Sequence, residues 1–457
     1  MSTNESATSV VKDLSGQLGS DRVLVSGPAY DQAREIWNFA VTAEPALIAR
    51  PETPAEVQAA VRSAQDHGLP LSVRSGGYDW AGRALRPDGL VIDLSLMRDV
   101  TIDADARVAT VAGGANARDV TSAATPFGLA AVTGACIGAV GMAGLTLGGG
   151  YGPLCGRAGL ALDNLLGADV VLADGRLVTT DAEHEPELFW ALRGGGGNFG
   201  VVTSLRVRLH PLDRVLAGFI VFPWEQADSV LRGLNEVLAT DTDELTVQGG
   251  ILSGPDGNPT ALLSPTWSGD LAQGANVIAE LERLGTPLMS QVAPLTYGEV
   301  LGLQEPFIIP GSHYAIRTRT VAGYSPDVIS ALLETGAART SPMSAILLHH
   351  FHGAAARVPL DSTAFGIRRN HLMTEIIASW APDDADAHRH VAWADSVSAA
   401  LAPHALPGGY AGLLASDADE QIAHAYGSNA ARLRAAKARF DPDGIFAAIP
   451  LPPASGG

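Results

Sequence analysis

The sequence holds two cysteines, Cys136 and Cys155, too few for the disulfide framework of a small secreted scaffold. Basic residues are also scarce: 30 Lys and Arg stand against 49 Asp and Glu, a formal charge of −19. Nucleic acids and anionic membranes both require basic surface, so neither is an expected partner. No apolar run reaches the roughly 18 residues of a membrane span. The polar stretch Met1 to Ser20 lacks the apolar core of a secretory signal, and a soluble, cytoplasmic protein is expected. There is no Gly-x-Ser-x-Gly elbow, which argues against a hydrolase of that type. Repeats of fixed period and low-complexity tracts are missing too.

Glycine is what the chain has in excess. Its 51 glycines are clustered, which points to loops built for close backbone approach. One cluster follows a short strand: Leu71-Ser-Val-Arg74-Ser75-Gly76-Gly77-Tyr78-Asp79-Trp80. Here glycines let backbone N–H groups come close to an anion. The second runs through Gly138, Gly141, Met142, Gly144, Gly148, Gly149, Gly150 and Tyr151. Glycine inside an element costs up to about 1 kcal/mol relative to Ala, so this density implies a backbone pressed against something flat or anionic. The third, Gly194 to Gly200, contains Gly195-x-Gly197-x-x-Gly200, the letters of a dinucleotide fingerprint. The context is wrong, because a helix precedes it and a β-branched strand follows.

The length, 457 residues, implies more than one domain. Thr53-Pro54-Ala-Glu56 has the capping residue, proline and glutamate of a helix start, and residues 45–80 read as a β-α-β unit. A helix is expected over Tyr30 to Asn38, ending near Trp37, and another from Ser416 through Arg439. Near Pro211 the glycine clusters thin out. Longer strand and helix runs follow, which suggests an antiparallel sheet with helices on one side. His349, His350 and His352 fall on one of those strands; by alternation His350 and His352 share a face and His349 takes the other. No further ligand completes a metal site, and none is expected. One of these histidines is a candidate base.

Taken together, the three glycine clusters, Tyr426-Gly-x-Asn429-x-x-Arg432 and Phe440-Asp-Pro resemble the vanillyl-alcohol oxidase / p-cresol methylhydroxylase superfamily of FAD-linked oxidoreductases. The likeness is to its berberine-bridge-enzyme-like branch. The resemblance implies an α+β fold: an FAD-binding domain of two α+β subdomains (1–213, split near 100), a substrate domain with an antiparallel sheet flanked by helices (214–402), and a segment returning to the flavin (403–457). It implies FAD contacts at Arg74, Ser75, Gly76, Gly77, Tyr78, Asp79 and Gly114, then at Cys136, Ile137, Gly138, Gly141, Met142, Gly144, Gly148, Gly149, Gly150 and Tyr151. Asn198, Gly200, Val202, Tyr426 and Asn429 complete the set.

Three letters depart from the family pattern. Tyr78 stands where the family has the histidine that bonds covalently to FAD. Ile137 occupies the position of a second, cysteinyl link, with Cys136 one residue away. Tyr410-Ala-Gly-Leu413 replaces a Tyr-x-Asn-Tyr motif whose last tyrosine assists deprotonation. Because a phenol lacks the imidazole nucleophile, non-covalent FAD is expected. The implied function is an FAD-dependent oxidoreductase, an oxidase, taking hydride from a C–H next to a hydroxyl or amine of a small organic or natural-product substrate. O2 or another acceptor reoxidises the flavin. Trp80 and Tyr151 are expected to line the flavin pocket. His350 is the expected base, with Tyr410 or Glu375 as substitutes. Two alternatives stand beside this reading: an oxidative cyclase or rearrangement catalyst, and a flavin-binding protein with little turnover. A monomer or homodimer is expected.

Overall fold

The computed structural model describes residues 3–134, 137–240 and 242–453. Its strands form three sheets. The first sheet contains β1 (Val23–Leu24), β2 (Leu47–Ala49), β3 (Leu71–Arg74) and β4 (Leu90–Asp93), in the order β1-β2-β4-β3. β2 and β3 both run parallel to β4. Helix Pro54–Asp66 makes the crossover, and the backbone N–H of Glu56 donates to the Thr53 hydroxyl at its start. This parallel arrangement delivers the C-terminal end of β3, with Arg74, to the edge of a large cavity.

A second, mostly antiparallel sheet follows: β5 (Val100–Asp103), β6 (Val108–Ala112), β7 (Leu129–Ala131), β8 (Leu165–Val171), β9 (Leu177–Asp181) and β10 (Val201–Pro211). The order is β5-β6-β10-β8-β9, with β7 on the far end of β10. Helix Pro186–Gly195 feeds the third glycine cluster, and β10 leaves it.

The third sheet is antiparallel throughout: β11 (Val215–Pro223), β12 (Leu245–Ser253), β13 (Pro259–Trp267), β14 (Met289–Leu295), β15 (His313–Val321), β16 (Ala345–Phe351) and β17 (His371–Trp380). Their order is β14-β11-β13-β12-β16-β17-β15. Alternation sorts its two faces. Ile220, Leu263, Val247, Ile346 and Ile376 point into a core shared with helices Ala227–Leu238, Leu271–Glu282, Pro326–Ala337 and Ala387–Leu401. The residues between them face the cavity, so one side of the sheet folds the protein and the other forms a wall.

Three expected elements differ. The helix expected over Tyr30 to Asn38 spans Pro28–Arg34; the chain turns extended at Glu35, which frees Trp37 to stack between two tyrosines. The helix expected from Ser416 through Arg439 is broken into Asp419–His424 and Ala430–Phe440, because Gly427 sits at φ +48° and interrupts the spiral. Part of the second glycine cluster, Met142–Gly148, is helical. No helix among the described residues is long and apolar enough to cross a membrane.

Candidate functional site

A cavity of about 640 Å³ lies between the first two glycine clusters and the wall of the third sheet. This size is within the range of cofactor and ligand sites. Its floor comes from Ser75 to Trp80, and the backbone there is tied down on both sides. Ser75 Oγ donates to the Gly113 carbonyl at 2.7 Å, Trp37 N–H donates to the Gly77 carbonyl at 3.1 Å, and Gly77 takes φ +67°. Gly76 and Gly141 meet backbone to backbone, and a Cβ on either would overlap the other residue. Gly149, at φ +152°, is pressed against the Tyr410 ring, which a Cβ would approach to 2.6 Å. The glycines therefore close the two loops on each other and leave a narrow, side-chain-free cradle. That is the shape a pyrophosphate and a flat ring system need, and the residues present fit FAD.

Several aromatic groups border the cavity. Tyr78 stacks on Trp37 at 5.4 Å between centroids, and Trp37 stacks on Tyr314 of β15 at 4.2 Å. Burial pushes the Tyr78 phenol up to about 12. Trp80 Nε1 donates to the Leu413 carbonyl at 3.1 Å. Tyr151 bonds to His371 Nε2 at 2.8 Å, and burial raises its phenol well above the ordinary value. Tyr410 accepts from Gly150 N–H at 3.1 Å; burial, reinforced by the Glu375 charge, pushes it up to about 12. Asp79 is held by the backbone N–H and guanidinium of Arg83 at 2.6 and 3.0 Å, yet burial still raises its carboxyl.

On the opposite wall, His349 Nε2 and Glu375 Oε2 are 2.9 Å apart on the paired strands β16 and β17. Gln248 Nε2 lies 3.2 Å from His349 Nδ1, and Gln304 bonds to Gln248 in turn. Nothing in the local sequence singles out His349 among the three strand histidines. Alternation puts it opposite His350, but only the tertiary fold decides which face meets the cavity.

Of the expected catalytic residues, Tyr410, Glu375, Trp80 and Tyr151 line this cavity and His350 does not. His350 stacks face to face on His352 at 3.8 Å and borders a separate void of about 40 Å³. Its Nδ1 has no hydrogen-bond partner, and burial, with the charges of His352 and His371, holds its pKa well below the usual imidazole value.

Among the expected cofactor residues, Ser75, Gly76, Gly77, Tyr78, Asp79, Ile137, Gly141, Gly144, Gly148, Tyr151, Gly200 and Val202 line the cavity. The others among the described residues do not line it. Arg74 donates to the Ala33 carbonyl, and Gly114 packs against the Leu94 backbone. Gly138 N–H donates to Glu305 at 3.3 Å, and Met142 is buried in the core. Gly150 packs on Ala161. Asn198 braces the C-terminal segment, donating to the Ile449 carbonyl and accepting from Ala448 N–H at 2.9 and 2.7 Å. Tyr426 donates to the Pro450 carbonyl, and Asn429 to the carbonyls of Leu360 and Thr363. Cys136 lies outside the described residues. Trp37, Tyr314, Gln304 and Pro306 to Ile309 also line the cavity, and no local sequence pattern points to them. No group of three metal-ligating side chains exists among the described residues.

A family profile described as "FAD binding domain" matches residues 45–181, and one described as "Berberine and berberine like" matches 414–449. The FAD-linked oxidoreductase aurO of Gibberella zeae is 33% identical over 431 residues, 92% of this chain and 83% of that protein. The crystal structure of 6-hydroxy-D-nicotine oxidase from Arthrobacter nicotinovorans superposes with a TM-score of 0.86 at 30% identity, covering 93% of this chain and 96% of the other. Berberine bridge enzyme, in a variant complexed with (S)-reticuline, gives a TM-score of 0.87 over 98% of this chain and 99% of its own; at 20% identity this likeness is one of fold.

Proposed function

The chain belongs to the berberine-bridge-enzyme-like FAD-linked oxidoreductases, and from that membership we propose that it oxidises a C–H next to a hydroxyl or amine, with the His349–Glu375 pair as its base. The observation that carries the assignment is the 2.9 Å contact between these two side chains on the wall facing the glycine loops. The remaining candidates are less suited. Tyr410, held up near 12, and Tyr151, higher than its ordinary value, keep their protons at neutral pH. His350 lies outside the cavity, and Trp80 N–H is spent on Leu413.

FAD, when bound, supplies the acceptor for the two electrons and the hydrogen that leave the substrate carbon. The protein supplies placement and proton transfer. His349 and Glu375 hold the substrate hydroxyl or amine and take its proton, while Gln248 and Gln304 fix the imidazole ring from behind. Tyr410, anchored by Gly150 N–H, acts as a fixed hydrogen-bonding partner beside them. The backbone of Ser75 to Gly77 and of Gly141 would hold the pyrophosphate, and the apolar wall excludes water.

FAD is held without a covalent bond in this reading, which rests on the phenol of Tyr78 and its stacking on Trp37. O2 is the proposed terminal acceptor and the cytoplasm the proposed location. The proposed domain division, 1–213, 214–402 and 403–457, is supported by the confinement of the seven-stranded sheet to 215–380. Anaerobic flavin reduction tests the base. Glu375→Gln should slow it about 10²- to 10⁴-fold with FAD content retained, and His350→Gln should leave it nearly unchanged. The reverse pattern would return the role to His350.

A further inference from the structure

We infer that the substrate is an apolar molecule, aromatic or extended, with a single hydroxyl or amine, and that polyhydroxylated compounds are excluded. This inference rests on the reading that the glycine-loop side of the cavity takes FAD and leaves the sheet wall to the substrate.

The wall is built by alternation from Phe219, Leu252, Leu262, Ile316, Leu347 and Ile377, one from each of six strands. The polar side chains among them are already engaged within the protein. Ser253 Oγ accepts from Arg339 at 2.8 Å, and Ser344 Oγ accepts from Ser379 N–H at 3.1 Å. The Tyr314 hydroxyl donates to the Ile309 carbonyl at 3.4 Å, and Gln304 is bound to Gln248. His349 and Glu375, with the Tyr410 hydroxyl beside them, form one polar point on this surface, enough to orient one hydroxyl or amine. A sugar would bring several hydroxyls to it, and those away from that point would be stripped of water without replacement partners.

The entrance repeats the pattern. Phe307 is 60% exposed and Ile309 47%, although both border the cavity. The Phe307 ring packs edge-on against Phe219 at 5.6 Å. Such apolar exposure beside a groove marks a route for an apolar ligand. Glu305, in the same segment, pairs with Arg118 and accepts from Gly138 N–H, which ties the segment to the second glycine cluster.

The test uses the FAD-loaded protein under anaerobic conditions, titrated with naphthylmethanol and with xylobiose. Binding is read from the flavin difference spectrum and turnover from bleaching. Naphthylmethanol should bind at least about 100-fold more tightly than xylobiose. Phe307→Ser, at an exposed position that does not threaten folding, should weaken naphthylmethanol about tenfold and leave xylobiose unchanged. Equal or tighter binding of xylobiose overturns the inference, as does failure of naphthylmethanol to perturb the flavin at millimolar concentration. Preferential binding of naphthylmethanol without bleaching supports the ligand class and overturns the proposal that this site oxidises such carbinols.

Discussion

Arg368 and Asp163 form a two-pronged ion pair, Nη1 to Oδ2 at 2.9 Å and Nη2 to Oδ1 at 2.7 Å, with side chains 2% and 9% exposed. The pair joins the loop before β17 to the turn before β8, beneath the aromatic cluster of Tyr151 and Phe365. Arg368 also donates from its two Nη atoms to the Ala355 carbonyl and Thr363 Oγ1, while its buried Nε–H has no partner. Removing the carboxylate alone would leave a cation buried. Asp163→Asn should therefore lower stability by about 3–5 kcal/mol, whereas replacing both residues by apolar ones should cost much less. Denaturant midpoints of the single and double variants check this; equal losses would contradict the account.

His371 gives a pH dependence of known sign. Its Nδ1 faces the Arg369 carbonyl and its Nε2 the Tyr151 hydroxyl, and burial lowers its pKa from 6.5 to about 4. Between those values the unfolded chain binds the proton and the folded chain does not. Stability is thus full above about pH 6.5 and falls as the pH drops toward 4. The loss from this one group between pH 7.5 and 5 is about 2 kcal/mol. His350, lowered for the same reason, acts in the same direction. His371→Gln should flatten the decline in melting temperature over this range, and a slope as steep as that of the parent would remove His371 as its source.

The Gly76–Gly141 contact predicts a coupled loss of cofactor and stability. A methyl group at either position must push the two loops apart. Gly76→Ala should cost about 1–3 kcal/mol and reduce the FAD bound after purification. An alanine variant with parental flavin content would show that this closure is not needed for the cradle.

The proposed non-covalent attachment of FAD turns on Tyr78. Acid precipitation of the yellow protein should release the flavin to the supernatant. Tyr78→His restores the nucleophilic imidazole of the family pattern, and flavin should then remain in the pellet. Retention in the pellet of the parent protein would overturn the non-covalent assignment.

Much of the glycine-loop side of the cavity is legible in the sequence because glycine leaves a local signature. Arg74-Ser-Gly-Gly77 after a strand, and the helix start at Thr53-Pro54, are short-range patterns whose physics lies within a few residues. Alternation also separated His349 from His350 correctly. It could not say which of them meets the cavity, because that depends on which face the helices cover. The partner of His349 is Glu375, 26 residues away, and that of Asp163 is Arg368, 205 residues away. No local pattern encodes such pairings. The local sequence marks Trp37 as the end of a helix; its stacking between Tyr78 and Tyr314 joins the first sheet's loop to a strand of the third, a contact that only the assembled sheets create.

The two-faced sheet divides heredity as well as space. On β16 and β17, Ile346, Leu348 and Ile376 face the helices, whereas Leu347, Met373 and Ile377 face the cavity. A mutation at an even-numbered site among these is therefore a change in how the protein folds. One at an odd-numbered site is a change in what it can accept. New specificities can arise by drift along one face while the other is kept by selection for stability, and a library restricted to Leu347, Met373 and Ile377 should yield altered substrate ranges from mostly folded clones.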